Sequence, residues 1–234
     1  MIWQRLWVLF LTNTKNLPMI YNLLQNTLPS EYGISGRNNI NIPIYTVTGL
    51  IEQGDNIACK SCKAKFHDRA TCNEIVMRID AGTNSLIIVD YETYVNQFNG
   101  RQIANGGRCD LLLCDATYNQ KIVFCDMGCY SEEHLMKKKA KVHKQTTDSI
   151  VRLLNRPSGL DFVNLFREKQ LIFFRRDSSL NEHPISPERG DVSKNIQAFV
   201  ANPATSSVRL EANEIVNDIP VKFIIVNYPN VYNW

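Results

Sequence analysis

This chain has no long apolar stretch. Its longest N-terminal hydrophobic run, Leu6–Leu11, is far too short for a membrane span or for the hydrophobic region of an export signal. A cytoplasmic protein with no membrane partner is therefore expected. No internal repeat, low-complexity tract or convincing linker divides the chain, and neither a phosphate-binding glycine loop nor a nucleophile elbow is present. Charge of one sign is also scarce. The net charge of +3 permits an anionic partner without demanding one. Cys125 and Cys129 flank Asp126, but no histidine stands where it would activate either thiol, which argues against a cysteine hydrolase. At 234 residues, with hydrophobic content of 44% and charged content of 21%, the composition is that of a soluble globular domain, alone or with an appendage.

The seven cysteines are an odd number, and in a reducing compartment they are thiols or metal ligands rather than disulfides. Cys59, Cys62, His67 and Cys72 form C-x2-C-x4-H-x4-C, the spacing of a zinc knuckle. Two thiolates on a tight turn, with a third sulfur and an imidazole, suit tetrahedral Zn²⁺ in a structural site. Lys60, Lys63, Lys65 and Arg69 surround these ligands, as a nucleic-acid contact would require. Phe66 stands where such knuckles usually carry glycine. Loop thiols beside a surface histidine are the plainer reading.

The densest information lies in Gly106–Tyr130. Cys109–Cys114 and Lys121–Asp126 read as two short buried strands, joined by the polar stretch Asp115–Gln120, which is suited to a hairpin turn. Asp110 opens the first strand and Asp126 closes the second. An antiparallel hairpin therefore brings the two carboxylates together at one edge of the sheet. Paired carboxylates repel unless a cation lies between them, and hard cations such as Mg²⁺ are held by oxygen pairs of this kind.

The order aspartate, apolar strand, turn, apolar strand, aspartate and long helix resembles the core of the restriction-endonuclease-like PD-(D/E)xK nucleases over roughly residues 70 to 175. Cys109-Asp110 stands for the first half of the motif and Asp126-Met127-Gly128 for the second. The resemblance implies Mg²⁺ or Mn²⁺ held by Asp110 and Asp126, with the Met127 carbonyl as a further ligand. It also implies an acidic residue from the first helix, for which Glu74 is the candidate. Gly128 takes the place of the motif lysine. Lys139 is the candidate replacement, because it lies about 40° from Leu135 on the helical wheel, inside the apolar sector.

The remaining elements fit that frame. Residues 1–50 form a cover segment, in which Trp3–Leu11 is either a strand or a helix. Leu17–Leu28 is an amphipathic helix, and Ile40–Val47 a strand whose proline favours a sheet edge. Residues 51–234 form the main domain. There Arg69–Ile79 reads as a helix, Ser85–Asp90 as a buried strand and residues 131–155 as the longest helix. In the latter, Leu135, Val142, Thr146, Ile150 and Leu153 share one face. Pro157-Ser158-Gly159 ends that helix and Leu160–Glu168 forms a short one. Gln170–Arg175, Ser207–Leu210 and Val221–Val226 complete the strands.

The sequence thus predicts an α/β fold with a mixed β-sheet flanked by helices, around a restriction-endonuclease-like core. The expected function is a Mg²⁺-dependent nuclease or a catalytically degenerate descendant. A zinc-stabilised nucleic-acid-binding module and a protein-interaction module are the alternatives.

Overall fold

Apolar residues at helical spacing shape the first part of the computed structural model, which describes residues 15–35, 40–54, 75–129, 132–176 and 208–234. Helix α1 (Asn16–Asn22) runs through a π-helical turn, Leu23–Thr27, into α2 (Leu28–Glu31). Ile20, Leu24 and Leu28 along this helix are fully buried, as the amphipathic pattern requires.

Strand β1 (Ile44–Gly54) follows Pro43 and forms one edge of the sheet. It therefore crosses residue 50 and builds the described end of the first segment into the same sheet as the rest. Its partner β2 (Ile75–Asp90) corrects one expectation: residues 75–79 are strand, not the end of a helix. The physical reason is period-two burial. Met77, Ile79 and Ala81 point inward, while Arg78 points away and bonds Glu52 Oε1 on β1 at 2.8 Å.

Beyond β2, the short helix α3 (Tyr91–Asn96) is capped by Asp90, whose carboxylate accepts from the Thr93 N–H at 2.9 Å. Next come β3 (Leu111–Asp115), β4 (Lys121–Cys129), helices α4 (Glu132–Leu154) and α5 (Pro157–Asn164), and β5 (Glu168–Arg176). Pro157 opens α5 rather than merely ending α4, because its fixed φ suits a first helical turn. At Gly159 an added Cβ would lie 2.3 Å from the Leu153 carbonyl oxygen, so only glycine allows α5 to pack this closely on α4. Strands β6 (Val208–Val216) and β7 (Ile219–Asn227) form a hairpin around Asn217-Asp218. Both turn residues have positive φ, 47° and 65°, the hand that matches strand twist.

The result is an eight-stranded mixed sheet in the order β1-β2-β3-β4-β5-β7-β6, with β8 (Tyr232–Asn233) parallel to β2. β1 to β4 are antiparallel neighbours, whereas β4, β5 and β7 run parallel. One face carries Leu112, Phe124, Leu171, Phe173 and Phe223, and every described helix packs there. The other carries Leu113, Val123, Ile172 and Phe174 and is closed by the first half of β2 with Tyr232 and Trp234. Each fully buried Leu or Phe contributes roughly 1.5–3 kcal/mol of transfer free energy, so this double core dominates stability. Among the described residues, no helix is long and apolar enough to cross a membrane.

Candidate metal centre at the head of the β3–β4 hairpin

Asp110 is positioned by a loop fastened to α4. Four residues on one side of that helix hold it. Asp148 Oδ2 accepts from the Gly107 N–H at 2.6 Å, and Ser149 Oγ from the Cys109 N–H at 2.8 Å. Gln145 Nε2 donates to the Arg108 carbonyl at 3.0 Å, and Arg152 Nη2 to the Gly107 carbonyl at 2.7 Å. An added Cβ on Gly107 would sit 2.9 Å from Gln145 Cα, so the loop touches the helix backbone. At Asp110 itself, the main-chain carbonyl accepts from the Tyr91 and Glu92 N–H groups at 2.9 and 3.2 Å. Its side-chain Oδ2 accepts from the Met127 N–H at 2.8 Å. The carboxylate thus continues the β3–β4 ladder where the strand itself has ended.

Asp126 lies on the adjoining strand, β4. The antiparallel register ends at Leu111 paired with Cys125, and Asp110 and Asp126 are the next residues along on the two chains. Along β4 the Asp126 side chain belongs to one face of the sheet. That face is the helix-covered one, because Ile122 and Phe124 alternate with Asp126 along β4. Asp126 is 6% exposed, and Asp110 is half-buried. The neighbouring thiols register both charges. Burial pushes the Cys109 and Cys125 thiols well above their ordinary range, and the negative charges of Asp110 and Asp126 add to both shifts.

Sequence reasoning overlooked Arg175. In the parallel β4–β5 register, Gly128 pairs with Arg175 and Asp126 with Phe173. Leu171 and Phe173 belong to the helix-side core, and alternation therefore turns Arg175 to the same face as Asp126. Strand spacing and rise set their Cα atoms on the order of 8 Å apart, across a residue with no side chain. Arg175 is 2% exposed, and its Nη1 donates to Asn227 Oδ1 at 3.4 Å. The available signal was an apolar strand ending in two arginines. Arg176 serves the opposite face, donating to the Ile75 carbonyl at 3.1 Å.

Lys139, the candidate replacement for the motif lysine, pairs with Glu211 on β6, a carboxylate it shares with Arg209. One turn on, His143 Nε2 lies 2.8 Å from Glu214 and packs edge-on against Phe223. Met127 lies largely within the second core, and its backbone, not its thioether, faces Asp110. Glu74 and the Cys59, Cys62, His67 and Cys72 cluster lie outside the described residues. Among the described residues, no group of three or more His, Cys, Asp or Glu side chains is placed to hold a metal ion. Asp110, Asp126 and Arg175 are therefore gathered at one end of β4 and β5. No protein-family model matches the chain, and no curated protein or solved structure is significantly similar to it.

Proposed function

We propose that this chain is a metal-dependent nuclease of restriction-endonuclease-like type, acting on phosphodiester bonds of nucleic acid at Asp110 and Asp126. What supports the reading is that the Asp110 carboxylate accepts from the Met127 N–H, the residue next to the buried Asp126 on β4. Their donor chemistry fits Mg²⁺ or Mn²⁺, since Mg²⁺ is commonly held by one or two carboxylates and keeps several waters. When bound, such an ion supplies Lewis acidity toward the attacking water and the phosphate.

The chain's own residues would then orient and neutralise. The Met127 N–H fixes one oxygen of Asp110 and so aims the other. The Met127 carbonyl is the further ligand that the family resemblance implies. Arg175 brings a fixed positive charge to the strand position beside Gly128, where the family's lysine is missing. Its guanidinium, which donates to Asn227 Oδ1, is a candidate for offsetting phosphate charge, while Lys139 is paired with Glu211. The proposal also includes a structural Zn²⁺ at Cys59, Cys62, His67 and Cys72. In sequence these residues lie between the end of β1 at Gly54 and the start of β2 at Ile75.

A second reading has specific support: a buried Arg175 can balance the two carboxylates without any metal, leaving a non-catalytic nucleic-acid-binding module. Incubation of mixed DNA and RNA with Mg²⁺ or Mn²⁺ separates the two. Cleavage by the parent and none by Asp126→Ala is expected. Salt-dependent binding without cleavage would replace the nuclease reading with the module.

A further inference from the structure

We propose that a cavity on the far side of the Asp110 loop binds a small phosphomonoester, a sugar or nucleoside phosphate in size. The cavity, of about 510 Å³, is lined by Tyr32, Gln102, Asn105, Asp148, Arg152 and Arg156 among others. This volume lies within the ordinary range for small-molecule sites. Its charge is unbalanced. Asp148 is already matched, because its Oδ2 accepts from Lys144 Nζ and from the Gly107 N–H, both at 2.6 Å. Neither Arg152 nor Arg156 forms an ion pair among the described residues.

Both guanidiniums keep donors in reserve. Arg152 is 4% exposed, and its Nη2 donates to the Asn105 and Gly107 carbonyls at 3.0 and 2.7 Å. Its Nε and Nη1 are buried without a well-formed hydrogen bond, although the guanidinium faces the Tyr91 ring at 5.8 Å and interacts with that hydroxyl, and Nε of Arg156 is buried likewise. Buried charged groups without a counter-ion are costly, and an anion in the cavity beside them lowers that cost through its charge. Arg156 is held in place by the Tyr32 ring, 4.0 Å from its guanidinium, and by Gln102 Oε1 at 3.2 Å. Tyr32 is anchored in turn through its hydroxyl, which donates to the Arg152 carbonyl at 2.8 Å.

Two positive forks on one cavity wall, Arg152 in the last turn of α4 and Arg156 in the extended residue before α5, match a dianionic tetrahedral group better than a single carboxylate, which one fork would satisfy. The cavity leaves room beyond a phosphate, and the amides of Gln102, Asn105 and Asn155 line it with partners for hydroxyl groups.

The test is calorimetric titration of the full chain with ribose 5-phosphate, inorganic phosphate and malonate. Ribose 5-phosphate should bind most tightly, then phosphate, then malonate. Arg152 also anchors the loop, so the informative variant is Arg156→Gln, which should weaken ribose 5-phosphate binding about tenfold or more. Asp126→Asn should bind as the parent does, which separates this cavity from the proposed metal centre. The proposal is overturned if ribose 5-phosphate does not bind at about 10 mM, a level that would saturate a millimolar site. Malonate binding as tightly as ribose 5-phosphate, Arg156→Gln binding like the parent, or Asp126→Asn losing the ligand would overturn it equally.

Discussion

Removing the Asp115 carboxylate should loosen the β3–β4 hairpin from which the proposed metal centre is built. Asp115 is the last residue of β3 and is 2% exposed. Its Oδ2 accepts from the Gln120 and Lys121 N–H groups at 2.9 and 2.7 Å, closing the turn into β4. Its Oδ1 accepts from Trp234 Nε1 at 2.7 Å, tying down the last residue of the chain. Hydrogen bonds to a charged group are worth about 1.5–3 kcal/mol each. Gln120 is exposed and Lys121 half-buried, so water can replace part of what their N–H groups lose. About 3 kcal/mol is therefore expected for Asp115→Ala, which for a chain of this size lowers the melting temperature by roughly 6–12 °C. Asp115→Asn keeps an acceptor and should lose about half as much. Urea unfolding followed by tryptophan fluorescence measures both, and because Trp234 is itself a partner, circular dichroism should be recorded alongside. A loss below about 1 kcal/mol for Asp115→Ala would refute the role assigned to this side chain, because a single bond to a charged group is worth more than that.

The other expectations are shorter. In the cleavage assay Arg175→Met should remove activity and Lys139→Met should not; the reverse result would return the catalytic cation to Lys139. Lys139→Met should nevertheless cost about 1 kcal/mol at neutral pH, as expected for a partly exposed ion pair. Burial raises the Glu211 pKa, but Lys139 and Arg209 outweigh it and leave the carboxyl below its ordinary value. The stabilisation is therefore complete above the ordinary glutamate range and lost as the pH falls through the lower folded value, so parent and variant should converge in acid. Native-state alkylation followed by peptide mass mapping should spare Cys109, Cys114 and Cys125, which are buried with raised thiol pKa values. Elemental analysis of protein purified without added metal should find close to one zinc per chain, and none would remove the Cys59, Cys62, His67 and Cys72 proposal.

Local pattern made much of the fold legible. The helical face of Val142, Thr146, Ile150 and Leu153 is buried as its spacing implies, and Leu135 packs at its edge. The β3–β4 hairpin was readable in outline, because two apolar runs bracket a polar turn that Asp115 closes, but β3 begins at Leu111, one residue after Asp110, and β4 runs on past Asp126 to Cys129. Residues 75–79 were misread because five mostly apolar residues satisfy a helical template as well as an alternating one. Only pairing with Ile51, Glu52 and Gln53 on β1 decides between them. Arg175 was invisible for a different reason. Its relation to Asp126 depends on β5 lying parallel to β4, which follows from the crossover through α4 and α5 and not from any nearby residue. Lys139 shows the same limit, since its place near an apolar stripe could be read while its partner Glu211 lies 72 residues away.

The most direct test of the central claim is the Mg²⁺ dependence of stability in the parent and in Asp126→Asn. If Asp110 and Asp126 share a divalent cation, Mg²⁺ at a hundredfold excess over its dissociation constant should stabilise the parent by about 2.7 kcal/mol relative to EDTA, with no such gain in Asp126→Asn. A parent indifferent to Mg²⁺, or a variant that gains as much as the parent, would contradict the metal centre and leave Arg175 as the counter-charge of a purely structural pair.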